Sequence, residues 1–487
     1  MEEIGLFLNK HHSQIRQAVL HIGQAYEEQR LKDLLNCTAL DRLILTGELS
    51  PKQARDLMGV LQTAASQGQQ RLPASFVFCA PEDLVRPEGE YALICEGVGQ
   101  NQSILPLVAY TPDYLLGRIK EDAVSSFAIW EAYRGCCQHI LLVTQRDKED
   151  DQVLDWEKDL RNAVELSVIL PMYNVEKYLD QCIQSVTAWQ ADYVEFLFVN
   201  DGSPDGSGAL VEKYALKDRR IRLLNKENGG CASARQWGLD HARGRYVGFV
   251  DPDDYVDETM FRKLLAAAMT GSYDISYCGY KEHYEDTGEE KEAADVLHLP
   301  YTVGTTDPQR IWELVAYCRV AIWRGIYKMD MLRKNHIHFY TELRRFDDLP
   351  FKVETFATAR SVMAVEEYLY YYRLARPGQD VAADDQRLYV HFPIFAHLNA
   401  SVASRKNTRL TDCLQMCKIQ THRFALGKIK TKFLKEYTEQ AIADLATTGK
   451  LWRTFFLAKQ MIGGRAALIY WAIMRRHYRL LKKLCQQ

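Results

Sequence analysis

Four short apolar runs, each breaking off in a polar turn, constrain this chain more than any other feature. LSVIL at 166–170 runs into Pro171, Met172, Tyr173 and Asn174, and VEFLFVN ends at Asp201-Gly202-Ser203. IRLLN at 221–225 leads to Asn228-Gly229-Gly230, and YVGFV at 246–250 ends in Asp251-Pro252-Asp253-Asp254. Stretches with helical spacing lie between them, such as Leu179, Ile183 and Val186. Short apolar runs alternating with helix-length segments predict strand, helix, strand crossovers and a largely parallel sheet. Ligands of such sheets sit beyond the carboxyl ends of the strands, so the spacing alone places Tyr173, Asp201 and Asp251 along one crevice.

Three carboxylates within four residues repel one another, and a strand end that carries them needs a cation or strong hydrogen-bond donors nearby. Hard oxygen ligands of this kind suit Mg²⁺ or Mn²⁺, ions that bridge protein carboxylates to substrate phosphates. Such an ion would neutralise charge growing on a diphosphate leaving group. An acidic turn that is merely solvated has the same local sequence; its position at a strand end favours the ligand. Gly202 and Gly206 permit a tight turn after the second strand, and Ser207 is placed to cap the next helix.

At 487 residues the chain exceeds one usual core, and the reading divides it in three. Residues 1–160 form a small α/β domain of unknown role. Up to about 68 it reads as helices, with Ile15, Val19 and Ile22 on one stripe and SPKQ at 50–53 opening another. Strands follow at 75–79, 91–95, 104–109 and 139–143 around a helix near 120–135, and the charged stretch 145–162 reads as a linker or exposed helix. Residues 164–378 hold the four runs, and 380–487 read as a helical, basic region.

Net charge is only −3, yet residues 404–487 hold 18 Lys plus Arg against 4 Asp plus Glu, a net +14 that leaves −17 elsewhere. That asymmetry suits an acidic partner: an anionic membrane face, a pyrophosphate-linked acceptor or nucleic acid, unless it is a solvated helix face. The apolar face of Trp452, Phe455, Phe456, Ile462, Leu468, Trp471 and Ile473, with Arg475, Arg476, Arg479, Lys482 and Lys483 beside it, fits an interfacial helix or a domain packed on its neighbour. No apolar run approaches the ~18 residues a spanning helix needs. The start of the chain lacks the pattern of a cleaved signal, and twelve cysteines without a CxxC pair indicate neither zinc nor a disulfide scaffold. A cytoplasmic location follows, peripheral on the inner membrane face if the tail binds lipid.

Between about 164 and 378 the chain resembles the inverting family 2 glycosyltransferases with a GT-A fold. The resemblance rests on the order of PMYNVEKYLDQCIQSV, FVNDGSPDGS, NKENGGCASARQWGLDHARGRYVGFVDPDDYV, AIWRGIYKMDML, RRFDDLPFKVETFATA and YLYYYR. It implies a Rossmann-like, mostly parallel sheet flanked by helices, and transfer of a sugar, with a UDP-sugar as the expected donor, to a glycan or lipid-linked acceptor. No nucleic acid is expected as a partner. By position, Pro171, Tyr173 and Asp201 would border the nucleoside, and Asn228, Gly229 and Arg235 would line the donor pocket. Asp251 and Asp253 would form the DxD element that holds Mn²⁺ or Mg²⁺, supported by Asp254. The acidic pair Asp347-Asp348 would supply the catalytic base, with Asp348 preferred.

An inverting transfer is one displacement, so a single carboxylate must take the acceptor proton opposite the departing diphosphate. Pro350 suits a first helical turn, which sets Asp348 at a helix N-terminus and favours its ionised form; the alternative is that the pair merely caps that helix. Arg373 and Arg376 could reach diphosphate oxygens or serve as surface charges. Trp323 could stack on a sugar or belong to the core. The chain departs from the family in carrying Asn200-Asp201 for paired aspartates, Gly325 where lysine is common, and the unusual Cys231 and Trp237; no QxxRW motif occurs. The competing functions are a non-catalytic glycan- or partner-binding module and, with less support, a sugar nucleotidyltransferase, which would need a glycine-rich basic loop where Pro-Met-Tyr-Asn stands.

Overall fold

The computed structural model describes residues 164–293, 304–343, 345–374, 383–446 and 451–485. Before these it describes 17–22, 42–47, 75–78, 92–98, 114–120, 123–134, 139–145 and 152–157, with Ile4, Pro112 and Cys137. The chain divides into two units, Met1–Ala163 with Met269–Ser272, and the remainder from Val164.

In the first unit, strands β1 (Gln17–Ile22), β2 (Arg42–Gly47), β3 (Ser75–Phe78), β4 (Ala92–Val98) and β5 (Tyr114–Lys120) precede helix α1 (Ala123–Tyr133), β6 (His139–Gln145) and β7 (Gln152–Glu157). They form one sheet of order β3-β2-β1-β4-β5-β6-β7, parallel except at β6 and β7. The first six strands follow the order of doubly wound nucleotide-binding sheets. Two expectations are corrected here. Val19 and Ile22 lie on a strand and not on a helical stripe. Ala18, Val19 and Leu20 are all buried in succession, as in a parallel strand covered on both faces, and a short run of that kind matches helical spacing by coincidence. Within 145–162, residues 152–157 form β7, antiparallel to β6 with Leu154 opposite Leu142. Its charges suit an edge strand, which sequence alone does not separate from a linker. Ile15, SPKQ at 50–53 and the run at 104–109 lie outside the described residues.

The second unit continues with β8 (Leu166–Met172), α2 (Glu176–Thr187), β9 (Val194–Asp201), α3 (Ser207–Ala215), β10 (Ile221–Lys226), α4 (Cys231–His241) and β11 (Tyr246–Phe249). Then come β12 (Tyr255–Val256), α5 (Met260–Thr270), β13 (Ile275–Tyr284), β14 (Glu290–Glu292), α6 (Pro308–Tyr317), β15 (Gly325–Lys328), α7 (Met329–Lys334), α8 (Asp348–Thr358) and β16 (Val362–Leu374). The sheet order is β10-β9-β8-β11-β15-β13-β16-β12, with β14 on β13. Pairing is parallel from β10 to β11, as the four runs require. Beyond β11 it is mixed, because β15 is antiparallel to both neighbours. Every residue of β8 is buried, and α2 turns Leu179, Cys182, Ile183 and Val186 inward. Helix α4 lies close on the sheet because Gly238 has no side chain; a Cβ there would stand 2.5 Å from Ile169 Cγ2. Ser207 does not cap α3. Gly206 holds that position, and the Ser207 hydroxyl accepts from the Val175 N–H at 3.3 Å.

Helices α9 (His391–Ser404), α10 (Thr408–Lys428), α11 (Thr431–Ala446), α12 (Leu451–Met461), α13 (Gly464–Met474) and α14 (Tyr478–Cys485) complete the chain. Ile394, Leu414 and Ile473 of these helices belong to the same buried cluster as Ile169 of β8 and Leu349 of α8. The basic region and the sheet therefore share one core, which fixes α8 from its far side.

Candidate active site

Helix α4 and two loops far apart in sequence meet at Arg235. Its guanidinium donates to Asp251 Oδ1 at 2.7 Å and to Asp347 Oδ2 at 2.8 Å, so one buried cation ties the acidic strand end to the acidic pair before α8. Arg235 is 5% exposed, and its Nε is buried with no hydrogen-bond partner among the described residues. Asp347 occupies the N-cap position of α8 without making a capping bond, because its carboxylate is turned to Arg235. The capping alternative is thus not what this side chain does.

Asp348 opens α8 and is half-buried. Burial, then the neighbouring Asp347 charge, push its carboxyl up to about 7, and Arg235 pulls the other way. The expectation that the helix N-terminus keeps it ionised is corrected. The dipole acts within one turn and is worth a fraction of a kcal/mol to about 2, less than desolvation beside a second carboxylate. A carboxylate tuned towards neutrality is well matched to general-base work.

Beyond β11, Asp254 is buried, accepting from the Tyr370 hydroxyl at 2.7 Å and the Arg373 N–H at 2.8 Å. Burial and Asp251 raise its pKa well above the ordinary carboxylate range. Arg373 is itself buried; it donates from Nε to the Asp253 carbonyl and from Nη2 to Gln181, and pairs with Glu285. These bonds make it a clamp on the acidic loop. Asp253 is 5% exposed and Asp251 is partly open. Arg376 lies outside the described residues.

At the neighbouring strand end, Asp201 is buried and accepts from Lys226 Nζ at 2.5 Å and from the N–H groups of Gly229 and Gly230 at 3.0 and 2.8 Å. The carboxylate therefore shapes the Asn228-Gly229-Gly230 turn. Gly230, at φ +88°, needs a glycine's freedom there. Asn228, Gly229 and Tyr173 are exposed beside it, whereas Pro171 is buried within β8. Lys226 and Tyr370 were not singled out in the sequence; each stands in a quoted motif, but only the tertiary contact shows its role.

Trp323 is core: its ring stacks on Tyr370 at 4.0 Å and on Tyr372 at 5.4 Å. Gly325 leaves no room for a lysine, since a Cβ would stand 2.9 Å from the Ser276 carbonyl oxygen. Arg324 does not replace it; its guanidinium is buried against Cys318, Tyr277 and Tyr280. Cys231 is exposed at the start of α4.

Parallel strands whose carboxyl ends carry acidic turns, two of them joined through one arginine, followed by a mixed half-sheet, give this region the organisation of a GT-A fold. The family model for glycosyl transferase family 2 matches residues 167–360. The uncharacterized glycosyltransferase EpsJ of Bacillus subtilis is 36% identical over 212 residues, 43% of this chain and 60% of that protein. The uncharacterized glycosyltransferase YibD of Escherichia coli is 32% identical over 223 residues, 44% and 63% of the two chains. The match thus spans about three-fifths of the length of these relatives. In fold, the solved S. aureus TarS 1–349 superposes with a TM-score of 0.51 at 19% identity, covering 66% of this chain and 90% of that one.

Proposed function

We propose that this protein transfers a sugar, with inversion, from a nucleotide-sugar donor to a hydroxyl of a glycan or lipid-linked acceptor in surface polysaccharide or glycolipid assembly. The observation that carries the reading is the double ion pair of Arg235, which brings Asp251 and the Asp347-Asp348 pair to one place. Asp348 accepts the acceptor's proton. Arg235, with an unused buried Nε, Asn228 and Gly229 border the donor, Tyr173 and Asp201 face the base, and Arg373 fixes the acidic loop. A uridine nucleotide is the favoured donor, since TarS 1–349 has been solved in complex with UDP-GlcNAc.

Asp251 and Asp253 would hold Mn²⁺ or Mg²⁺. Among the described residues no three acidic, His or Cys side chains gather for an ion, so two carboxylates would share it with donor phosphate oxygens and water. The two carboxylates fit that shared arrangement. When bound, the ion supplies positive charge against the leaving diphosphate. The same reading sets the protein peripherally on the inner face of the cell membrane.

The test is a thermal-shift screen with Mn²⁺ and UDP-glucose, UDP-galactose, UDP-GlcNAc or GDP-mannose, followed by release of nucleotide from any ligand that binds. A ligand that binds only the native state raises its melting point. Absence of both a shift and nucleotide release across the panel overturns the proposal.

A further inference from the structure

The membrane contact in that reading can be assigned to particular residues, and its test requires no sugar donor. Helix α12 turns Thr454, Ala458 and Met461 inward. Its outer side carries Trp452 and Phe456, with the half-buried Phe455 between them and the core; the three rings stand 5.5 to 6.4 Å apart, with Lys459 one turn on. Trp452 is 55% and Phe456 61% exposed. Helix α13 repeats the arrangement: Ile469, Tyr470 and Ile473 are buried, Leu468 is 45% exposed, Trp471 is half-buried, and exposed Arg475 ends the stripe. The spacings are i, i+3, i+4 and i+7 along α12, and i, i+3 and i+7 along α13, where the i+4 residue Ala472 is buried. Large apolar side chains gathered on a surface mark a binding region.

Charge identifies the occupant. The four acids of residues 404–487 are engaged by nearby side chains: Asp412 by Arg453, Asp444 by Lys418 and His422, Glu439 by Arg476 and Tyr478, and Glu436 by Tyr389. Lys459, Arg475, Arg479, Lys482 and Lys483 stand exposed. A second copy of the chain would set this cationic face against itself. No helix among the described residues is long and apolar enough to cross a membrane.

We propose that the outer faces of α12 and α13 dock on an anionic lipid bilayer, with Trp452, Phe455, Phe456 and Leu468 entering the headgroup boundary and Lys459 and Arg475 meeting lipid phosphates. Sedimentation of the full chain with vesicles of mixed phosphatidylglycerol and phosphatidylcholine tests this against vesicles of phosphatidylcholine alone. Binding is expected only to the anionic vesicles. Trp452→Ser with Phe456→Ser, and separately Lys459→Glu with Arg475→Glu, should each weaken it roughly ten-fold or more, a difference of about 1.4 kcal/mol per ten-fold, while leaving the melting point unchanged. The proposal is overturned if the wild type ignores anionic vesicles or if the serine variant binds them as well as the wild type does. It is likewise overturned if sedimentation velocity shows a dimer that the serine variant dissolves, or if an oligonucleotide binds as tightly as the vesicles in wild type and serine variant alike. Each of these outcomes leaves the sugar-transfer reading standing, because none involves Arg235 or the acidic residues around it.

Discussion

Arg235 Nη1 lies 2.8 Å from Asp347 Oδ2, joining residues 112 positions apart with both side chains almost fully buried. Removing one partner strands a buried charge, whereas removing both does not. Arg235→Met should therefore lower unfolding stability by about 3 to 5 kcal/mol, and Arg235→Met with Asp347→Leu should recover much of that loss. Urea unfolding of the two variants measures the difference. Equal losses would show that Arg235 matters through Asp251 or packing and not through Asp347.

The raised carboxyl of Asp348 predicts two pH effects. A base must be ionised, so the acid limb of the rate profile should rise through about 7 and vanish with Asp348→Asn. Stability runs the opposite way. The native state holds this proton more tightly than the unfolded chain, whose group titrates near 3.8. The contribution is present below that value and is lost as pH rises through about 7. Denaturation of wild type and Asp348→Asn at pH 5 and pH 8 should show the wild type losing more stability than the variant between the two.

Asp253 and Asp348 should separate binding from chemistry. Asp253→Ala should abolish the Mn²⁺-dependent rise in melting point with a bound UDP-sugar, and Asp348→Asn should keep that rise while lowering transfer by at least 100-fold. Transfer at the wild-type rate in Asp348→Asn would reassign the base.

Gly325 is fixed by space and not by backbone angle. Gly325→Lys should cost about 1 to 3 kcal/mol through overpacking against Ser276 and Tyr277, with no gain in nucleotide affinity. Calorimetric unfolding and titration with UDP read the two effects separately.

The parallel half of the sheet was legible because β8 to β11 are short apolar runs broken by turns, a local pattern. The position of Asp201 at the end of β9 and of Asp251 just past β11 followed from the same spacing. What sequence could not supply depended on distance in the chain. The pairing of Arg235 with Asp347, the Tyr370 and Arg373 clamp on Asp254 and the Lys226 bond to Asp201 are tertiary contacts without a local signature. The pKa of Asp348 was misread for the same reason: helix position is visible in sequence, whereas burial and the orientation of Asp347 are not. The strand at 17–22 was misread because QAVLHI is too short for its period to decide between helix and strand.

In the helical region, Lys418 is fully buried with Nζ 2.7 Å from Asp444 Oδ1, and His422 Nε2 meets the other oxygen of the same carboxylate at 2.9 Å. Tyr437 links His422 to His391, whose ring packs at 4.7 Å on Phe346, the residue before Asp347. Phe346 is held at φ +54°, a backbone state an aromatic residue adopts only under constraint from its surroundings. Asp444→Leu should therefore do more than destabilise. It should cost about 3 to 5 kcal/mol by leaving the buried Lys418 ammonium without its carboxylate, and Lys418→Met with Asp444→Leu should restore much of this. If the helices also set the acidic pair through Phe346, the double variant should still show a lower transfer rate and a displaced acid limb at unchanged donor KM. If it regains the wild-type profile with its stability, the network serves folding alone.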